Sequence, residues 1–176
     1  MQVNERNNTI SIVHKYIFFN IRNTPLKLFI FSQKINNFSN LNILTNSIKI
    51  ANILIEKSDL NIIIIGGVVR RLTNSIVHYG NESILKSFKA NQLYLNIGAL
   101  SIEEGLTDPS YQEATIKRDM IEISSEIILL ADSSKIGKLS LASVCPIEKI
   151  NKIITDKKVN RTFIKKAEKL GIEVIF

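Results

Sequence analysis

Residues 41–67 read LNILTNSIKIANILIEKSDLNIIIIGG, and this stretch decides the fold class. Leu41-Asn42-Ile43-Leu44 is an apolar run that ends in Thr45-Asn46-Ser47. Ser47 is placed to cap a helix with Ile50, Ala51, Leu54 and Ile55 on one face, ending near Ser58-Asp59. A second apolar run, Ile62 to Ile65, closes on Gly66-Gly67. Strand, helix and strand in so short a span make a βαβ unit, with a right-handed crossover. Four consecutive isoleucines leave no wet face, so strand 61–65 is expected to be fully buried and central in a parallel sheet.

The alternation continues downstream. Asn81 is expected to cap a helix carrying Ile84, Leu85 and Phe88, followed by a strand at 92–97 and a loop at 98–109. Ser110 and Glu113 have capping-box spacing, in which each side chain satisfies the other residue's backbone N–H. The helix they open carries Ala114, Ile116, Lys117, Met120, Ile121 and Ile123, and a strand at 126–131 follows. Lys152 to Thr155 reads as a short strand, 160–169 as a helix stopped by Gly171, and 172–176 as a last strand. Upstream, Tyr16 to Phe19 suits a strand, with Thr24 as N-cap and Pro25 as first residue of a helix reaching Lys34. The expected fold is α/β: a Rossmann-like, mostly parallel sheet with helices on both faces.

The bulk composition narrows the function classes. With 176 residues and 45% hydrophobic content, one domain with a sizeable core is expected, preceded by a remnant or linker at residues 1–14. No stretch approaches the roughly 20 apolar residues of a membrane span, and no secretory signal pattern opens the chain, so a cytoplasmic protein is expected. The net charge of +7 is spread out; Lys165, Lys166 and Lys169 fit one solvated helix face. Cys145 has no Cys or nearby His partner and reads as a small buried hydrophobe. His14 and His78 have no metal-ligand spacing, so neither a metal nor a cofactor is expected.

In a parallel sheet all carboxyl ends lie on one edge, and ligands bind in the crevice outside it. The segments Thr45-Asn46-Ser47, Gly66-Gly67, Gly98 and Asp132-Ser133-Ser134-Lys135 would converge there. Turn chemistry alone accounts for the glycines. It accounts less well for an aspartate and a lysine bracketing one turn, although Asp132 and Lys135 could simply pair with each other. Lys117 has an equally bland alternative, an exposed Glu113–Lys117 pair worth about 0.2–0.5 kcal/mol.

Thr45-Asn46-Ser47, Gly66-Gly67, Gly98, Gly105-Leu106-Thr107, Glu113-Ala114 with Lys117, Asp132-Ser133-Ser134-Lys135 with Gly137, and Thr155-Asp156 together resemble the C-terminal effector domain of DeoR-type bacterial transcriptional regulators. None of these elements is distinctive alone; their order and spacing from about residue 40 onward are. The resemblance implies a fold similar to ribose-5-phosphate isomerase, glucosamine-6-phosphate deaminase and the CoA-transferases. It implies a non-catalytic sensor of a phosphorylated sugar or related anionic metabolite, acting in a repressor. It also implies effector contacts at Thr45, Asn46, Ser47, Gly66, Gly67, Gly98, Lys117, Asp132 and Lys135, with Ser47 capping a helix and the glycines admitting close backbone approach.

Two departures from the family pattern stand out. Residues 1–14 are too few for the helix-turn-helix that precedes such sensors, so specific DNA binding by this chain alone is not expected. The partners expected are a homo-oligomer or a mixed oligomer with a full-length regulator. The family's phosphate loop, Asp-x-Gly-Ser/Thr-Thr-Thr, falls on Asn20-Ile21-Arg22-Asn23-Thr24-Pro25. Arg22 stands in place of glycine and Asn20 in place of aspartate. Small residues let backbone N–H groups reach an anion; Arg22 either supplies a charge-assisted donor instead or blocks the loop, Asn20, Arg22, Asn23 and Thr24 then being degenerate. Two alternatives stay open: a sugar-phosphate isomerase- or deaminase-like enzyme using carboxylates such as Glu103, Glu104, Asp108 or Asp132, and a non-binding remnant that only oligomerises.

Overall fold

The computed structural model describes residues 15–20 (backbone only), 41–56, 60–77 and 84–176. The main sheet contains β1 (Lys15–Asn20), β2 (Leu41–Thr45), β3 (Asn61–Ile64), β6 (Ala90–Asn96), β9 (Ser124–Leu130), β11 (Lys152–Ile154) and β12 (Glu173–Ile175). A hairpin, β4 (Val68–Arg70) and β5 (Ser75–Val77), and a small antiparallel sheet of β7 (Ala99–Ser101), β8 (Gly105–Asp108) and β10 (Ala142–Cys145) lie outside it. The α-helices are α1 (Ile48–Ile55), α2 (Tyr111–Glu122) and α3 (Arg161–Lys169).

The seven main strands run in the order β12-β11-β9-β6-β1-β2-β3, and every adjacent pair is parallel. Strand alternation sends side chains to two faces. Leu93 and Leu95 of β6, Leu129 of β9 and Ile153 of β11 pack beneath Ala114, Ile116 and Met120 of α2 and Phe163 and Ala167 of α3. Leu41 and Ile43 of β2 pack on the other face beneath Ile50 and Leu54 of α1. Helices therefore cover both faces, as the alternation predicts. Each fully buried aliphatic side chain contributes about 1.5–3 kcal/mol of transfer free energy, so the α2–α3 face carries most of the stability.

The capping chemistry is local and legible. Ser47 Oγ accepts from Ile50 N, Ser110 Oγ from Glu113 N, and Asn160 Oδ1 from Thr162 N, each satisfying a first-turn amide. The second half of the expected capping box is absent: the Ser110 amide donates to Asp108 Oδ1, and the Glu113 carboxylate goes elsewhere.

Several expectations are corrected. Strand 61–65 is neither central nor fully buried: β3 stands at the end of the sheet, Ile62 and Ile63 are half-buried, Ile64 is 45% exposed, and only Ile65, just past the strand, is buried. An isoleucine run records a tendency to be covered; it does not record which strand lies alongside. The span 98–109 is not a loop, because β7 and β8 form a hairpin through it and β8 also pairs with β10. Strands of three or four residues are too short for alternation to show. The described part of the segment expected as a helix near 84–88 is a 3-10 turn, Ile84–Ser87, while its cap Asn81 lies outside the described residues. Remaining boundaries move by one or two residues, except that α1 ends at Ile55 and its expected end at Ser58-Asp59 lies outside the described residues. His14, His78, Arg22, Asn23, Thr24 and the helix expected over 26–34 lie outside the described residues.

Candidate functional site

The chain lays down β1, β2 and β3 toward one edge of the sheet, then β6, β9, β11 and β12 toward the other. The order therefore reverses between β1 and β6. In open α/β sheets a crevice forms at such a switch point, outside the carboxyl ends of the strands. Asn20 ends β1 there and Asn96 ends β6 there, with Gly98 two residues on.

The carboxyl-edge segments are tied together. Thr45, Asn46 and Ser47 are buried. Thr45 Oγ1 accepts from the Ser47 amide at 3.1 Å, and Asn46 Nδ2 donates to the Ile76 carbonyl at 3.1 Å. The Ile76 amide returns a bond to the Asn46 carbonyl at 2.7 Å. Hairpin β4–β5 is thereby fixed against the end of β2. Gly67 has φ 147, and a Cβ there would lie 2.5 Å from the Val77 carbonyl oxygen, so glycine is needed where the hairpin folds back. Gly98 faces a similar limit, since a Cβ would meet Pro109 Cδ at 2.4 Å. Gly66 is exposed and open.

On the β9 side, Asp132 Oδ1 accepts from the Ser134 amide at 3.1 Å and from the Ser134 hydroxyl, capping the 3-10 turn Ser133–Lys135. Asp156, after β11, accepts from the Ser133 amide at 2.7 Å. That bond, with a second from the Lys158 amide, holds the Asp156 carboxyl below the usual range. Lys135 is half-exposed at the end of this turn.

Two buried charge clusters lie beneath the edge. Lys117 Nζ meets Asp108 Oδ2 at 2.7 Å, with both side chains 0% exposed. Glu113, also fully buried, accepts from Ser75 Oγ at 2.6 Å and Thr73 Oγ1 at 2.9 Å, and lies 3.8 Å from Arg70 Nη1. The reading of Lys117 as an exposed partner of Glu113 is not met: the two residues serve separate buried clusters. Glu113 ties the start of α2 to the hairpin, while Lys117 ties α2 to β8.

Arg70, Thr73 and Ser75 were not legible as site residues. The available signal was Val68-Val69-Arg70 and Ser75-Ile76-Val77 flanking Thr73-Asn74, a pattern typical of a hairpin, and Asn74 takes φ 49 in the turn. A cleft of about 500 Å³ opens at the opposite, amino edge, lined by Arg118, Ser124, Ser125, Cys145, Lys149 and Asn151 among others. Glu122 and Glu148 also line it, so its charges are mixed. Cys145 is buried, and burial pushes its thiol up to about 12. Among the described residues no group of His, Cys, Asp and Glu is placed to hold a metal ion, and no helix is long and apolar enough to cross a membrane.

The model of the DeoR C-terminal sensor domain matches residues 14–157. The chain belongs to this family. The DeoR sensor domain has the fold of ribose-5-phosphate isomerase and glucosamine-6-phosphate deaminase, in agreement with the parallel sheet described above. Relatives include the HTH-type transcriptional regulator GlpR of Haloferax volcanii, 30% identical over 90% of this chain and 61% of its own length. The HTH-type transcriptional regulator IolR of Bacillus subtilis is 33% identical over 67% of this chain and 47% of its own length. The glycerol-3-phosphate regulon repressor of Escherichia coli K12 is 29% identical over 80% of this chain and 54% of its own length. The chain spans about half the length of the relatives it matches, and these are named as regulators and repressors.

Proposed function

We propose that this chain is the effector-sensing part of a cytoplasmic DeoR-type repressor. It binds a phosphorylated sugar or similar anionic metabolite at the β1/β6 switch point and couples binding to oligomer state and DNA affinity. The observation that supports the reading is that the carboxyl ends of β2, β3, β6 and β9 share one edge of a parallel sheet whose strand order reverses between β1 and β6. A relative is named for the glycerol-3-phosphate regulon, which fits the same chemical class.

In this reading Lys135 and the partly exposed Arg70 supply the positive charge, and the carboxyl end of β1 borders the anion. Gly66, Gly67 and Gly98 let the backbone approach. Thr45, Asn46, Ser47 and Asp132 hold the loops in shape through the bonds described above. Lys117 supports the site from below through Asp108. Of the carboxylates the enzyme alternative could draw on, Asp108 is an ion-pair partner, Asp132 a turn cap and Glu103 paired with Lys166, which favours the sensor reading.

A thermal-shift screen with glycerol 3-phosphate, ribose 5-phosphate, fructose 6-phosphate and glucosamine 6-phosphate tests the proposal. A ligand at 100 times its dissociation constant stabilises by about 2.7 kcal/mol. For a domain of this size that is a shift of roughly 5–10 °C. Shifts with phosphorylated but not parent sugars are expected. No shift with any phosphate at 10 mM would favour the reading as a non-binding oligomerisation module.

A further inference from the structure

Arg70 is a cation of the carboxyl edge with a buried acidic neighbour. Its side chain is 27% exposed, and among the described residues its guanidinium is held through Nη1, 3.3 Å from Thr73 Oγ1 and 3.8 Å from Glu113 Oε1. The distance to Glu113 is too long for a hydrogen bond, so the link passes through Thr73. The Thr73 hydroxyl donates to Glu113 Oε1 at 2.9 Å and accepts from Arg70, and the Thr73 amide closes the turn on the Arg70 carbonyl at 3.2 Å. Ser75 Oγ donates to the same Glu113 oxygen at 2.6 Å. A guanidinium has five N–H donors in a planar fork, a shape that meets a phosphoryl group through two parallel bonds. Held at one nitrogen, Arg70 can offer the rest of that fork to a ligand.

The place of this cluster follows from the topology. Hairpin β4–β5 is bonded to the end of β2 through Asn46 and Ile76, and to the first turn of α2 through Glu113. Helix α2 packs against β6 and β9, and β1 lies between β2 and β6 in the sheet. A hairpin tied at both places spans the carboxyl end of β1, where the strand order reverses.

We infer that Glu113 is a positioning residue: acting through Thr73, it fixes the Arg70 guanidinium at the β1/β6 switch point so that its fork meets the phosphoryl group of the effector. The anion's identity rests on the proposed sensor reading; the positioning rests on the contacts alone. Two effects of Glu113 oppose each other. A carboxylate 3.8 Å from Arg70 lowers the positive potential that an anion feels, so charge alone makes Glu113→Gln a tighter binder. Against this, a long side chain loses rotamer freedom when it binds, and one already held loses less. Orientation wins, because the partly exposed Arg70 has its charge screened by solvent, whereas the ordering cost is not screened.

Calorimetry on the whole chain with glycerol 3-phosphate, ribose 5-phosphate, fructose 6-phosphate and glucosamine 6-phosphate tests this. Glu113→Gln and Thr73→Val are each expected to raise the Kd of the tightest-binding phosphate about tenfold. In an Arg70→Ala background the same substitutions are expected to change it by less than about twofold, because their effect runs through Arg70. A general loosening of the hairpin would weaken binding equally in both backgrounds. Thr73→Val leaves α2 untouched and decides the matter if Glu113→Gln does not fold. Without ligand, the nitrogen–proton Overhauser effect at Arg70 Nε, assigned with Arg70→Lys, should show an ordered side chain in the wild type and a mobile one in Glu113→Gln and Thr73→Val. Equal losses of affinity in the two backgrounds would overturn the inference. So would tighter binding by Glu113→Gln, or an Arg70 side chain equally mobile in all three proteins. If none of the four phosphates binds while Arg70 order still depends on Glu113, the positioning stands and the sensor reading falls.

Discussion

Replacing Lys117 by Met separates a structural role from a ligand contact. The Lys117–Asp108 pair is 2.7 Å long and excluded from solvent on both sides. Met conserves most of the volume and removes the charge. It leaves the Asp108 carboxylate buried without its ammonium partner, beside the Ser110 amide that donates to it at 3.1 Å. Breaking a buried pair by removing one partner costs about 3–5 kcal/mol. Asp108 also lies at the end of β8, where the small sheet meets α2, so relaxation toward water would disturb both. At roughly 2–4 °C per kcal/mol for a domain of this size, the melting temperature should fall by about 6–20 °C. A ligand contact alone would instead cost about 1.5–3 kcal/mol of affinity and little stability. The assay is urea unfolding followed by circular dichroism, with the Lys117→Met/Asp108→Leu double variant recovering most of the loss. A single variant destabilised by less than 1 kcal/mol, with sugar-phosphate affinity down tenfold, would refute the placement of Lys117 beneath the site.

Further outcomes follow from the same geometry. Glu113→Gln should cost about 2 kcal/mol, near 1 kcal/mol for each of the Ser75 and Thr73 bonds that lose a charged acceptor, and should speed hydrogen exchange in β4–β5 specifically; uniform exchange across the chain would contradict the clamp. Gly105 has φ 69, and an added Cβ would sit 2.3 Å from the Cys145 carbonyl oxygen, so Gly105→Ala should destabilise by at least about 2 kcal/mol in urea unfolding. The Cys145 thiol, pushed up to about 12 by burial, should stay protonated and unreactive toward Ellman's reagent at pH 8, gaining reactivity only as pH approaches that value or the chain unfolds; prompt reaction of native protein at pH 8 would contradict this.

Local chemistry was legible where one residue's side chain decides the outcome. Ser47 and Ser110 cap helices because their oxygens reach first-turn amides, and nearest neighbours in sequence suffice to see that. The strand ends were legible because apolar runs stop abruptly at glycine or small polar residues. Sheet position was not: the isoleucines of β3 look more buried than those of β9, yet β3 is the edge. Their apolarity speaks of a surface to be covered. The partners of Lys117 and Glu113 were hidden because Asp108 and Ser75 lie on separate small β-structures, whose strands are too short to announce themselves. Asp132 was read correctly as part of the carboxyl edge, but its nearest work is to cap its own turn.

The central claim is that an anionic effector sits at the carboxyl edge of the sheet. A titration of isotope-labelled protein with the best phosphate from the screen, followed by amide nitrogen–proton correlation spectra, tests it most directly. The account predicts shift changes concentrated at Gly66, Gly67, Asn96, Gly98 and Ser133 to Lys135, abolished by the double substitution Arg70→Ala/Lys135→Ala. Changes centred instead on Ser124, Ser125 and Asn151 at the amino-edge cleft would contradict it.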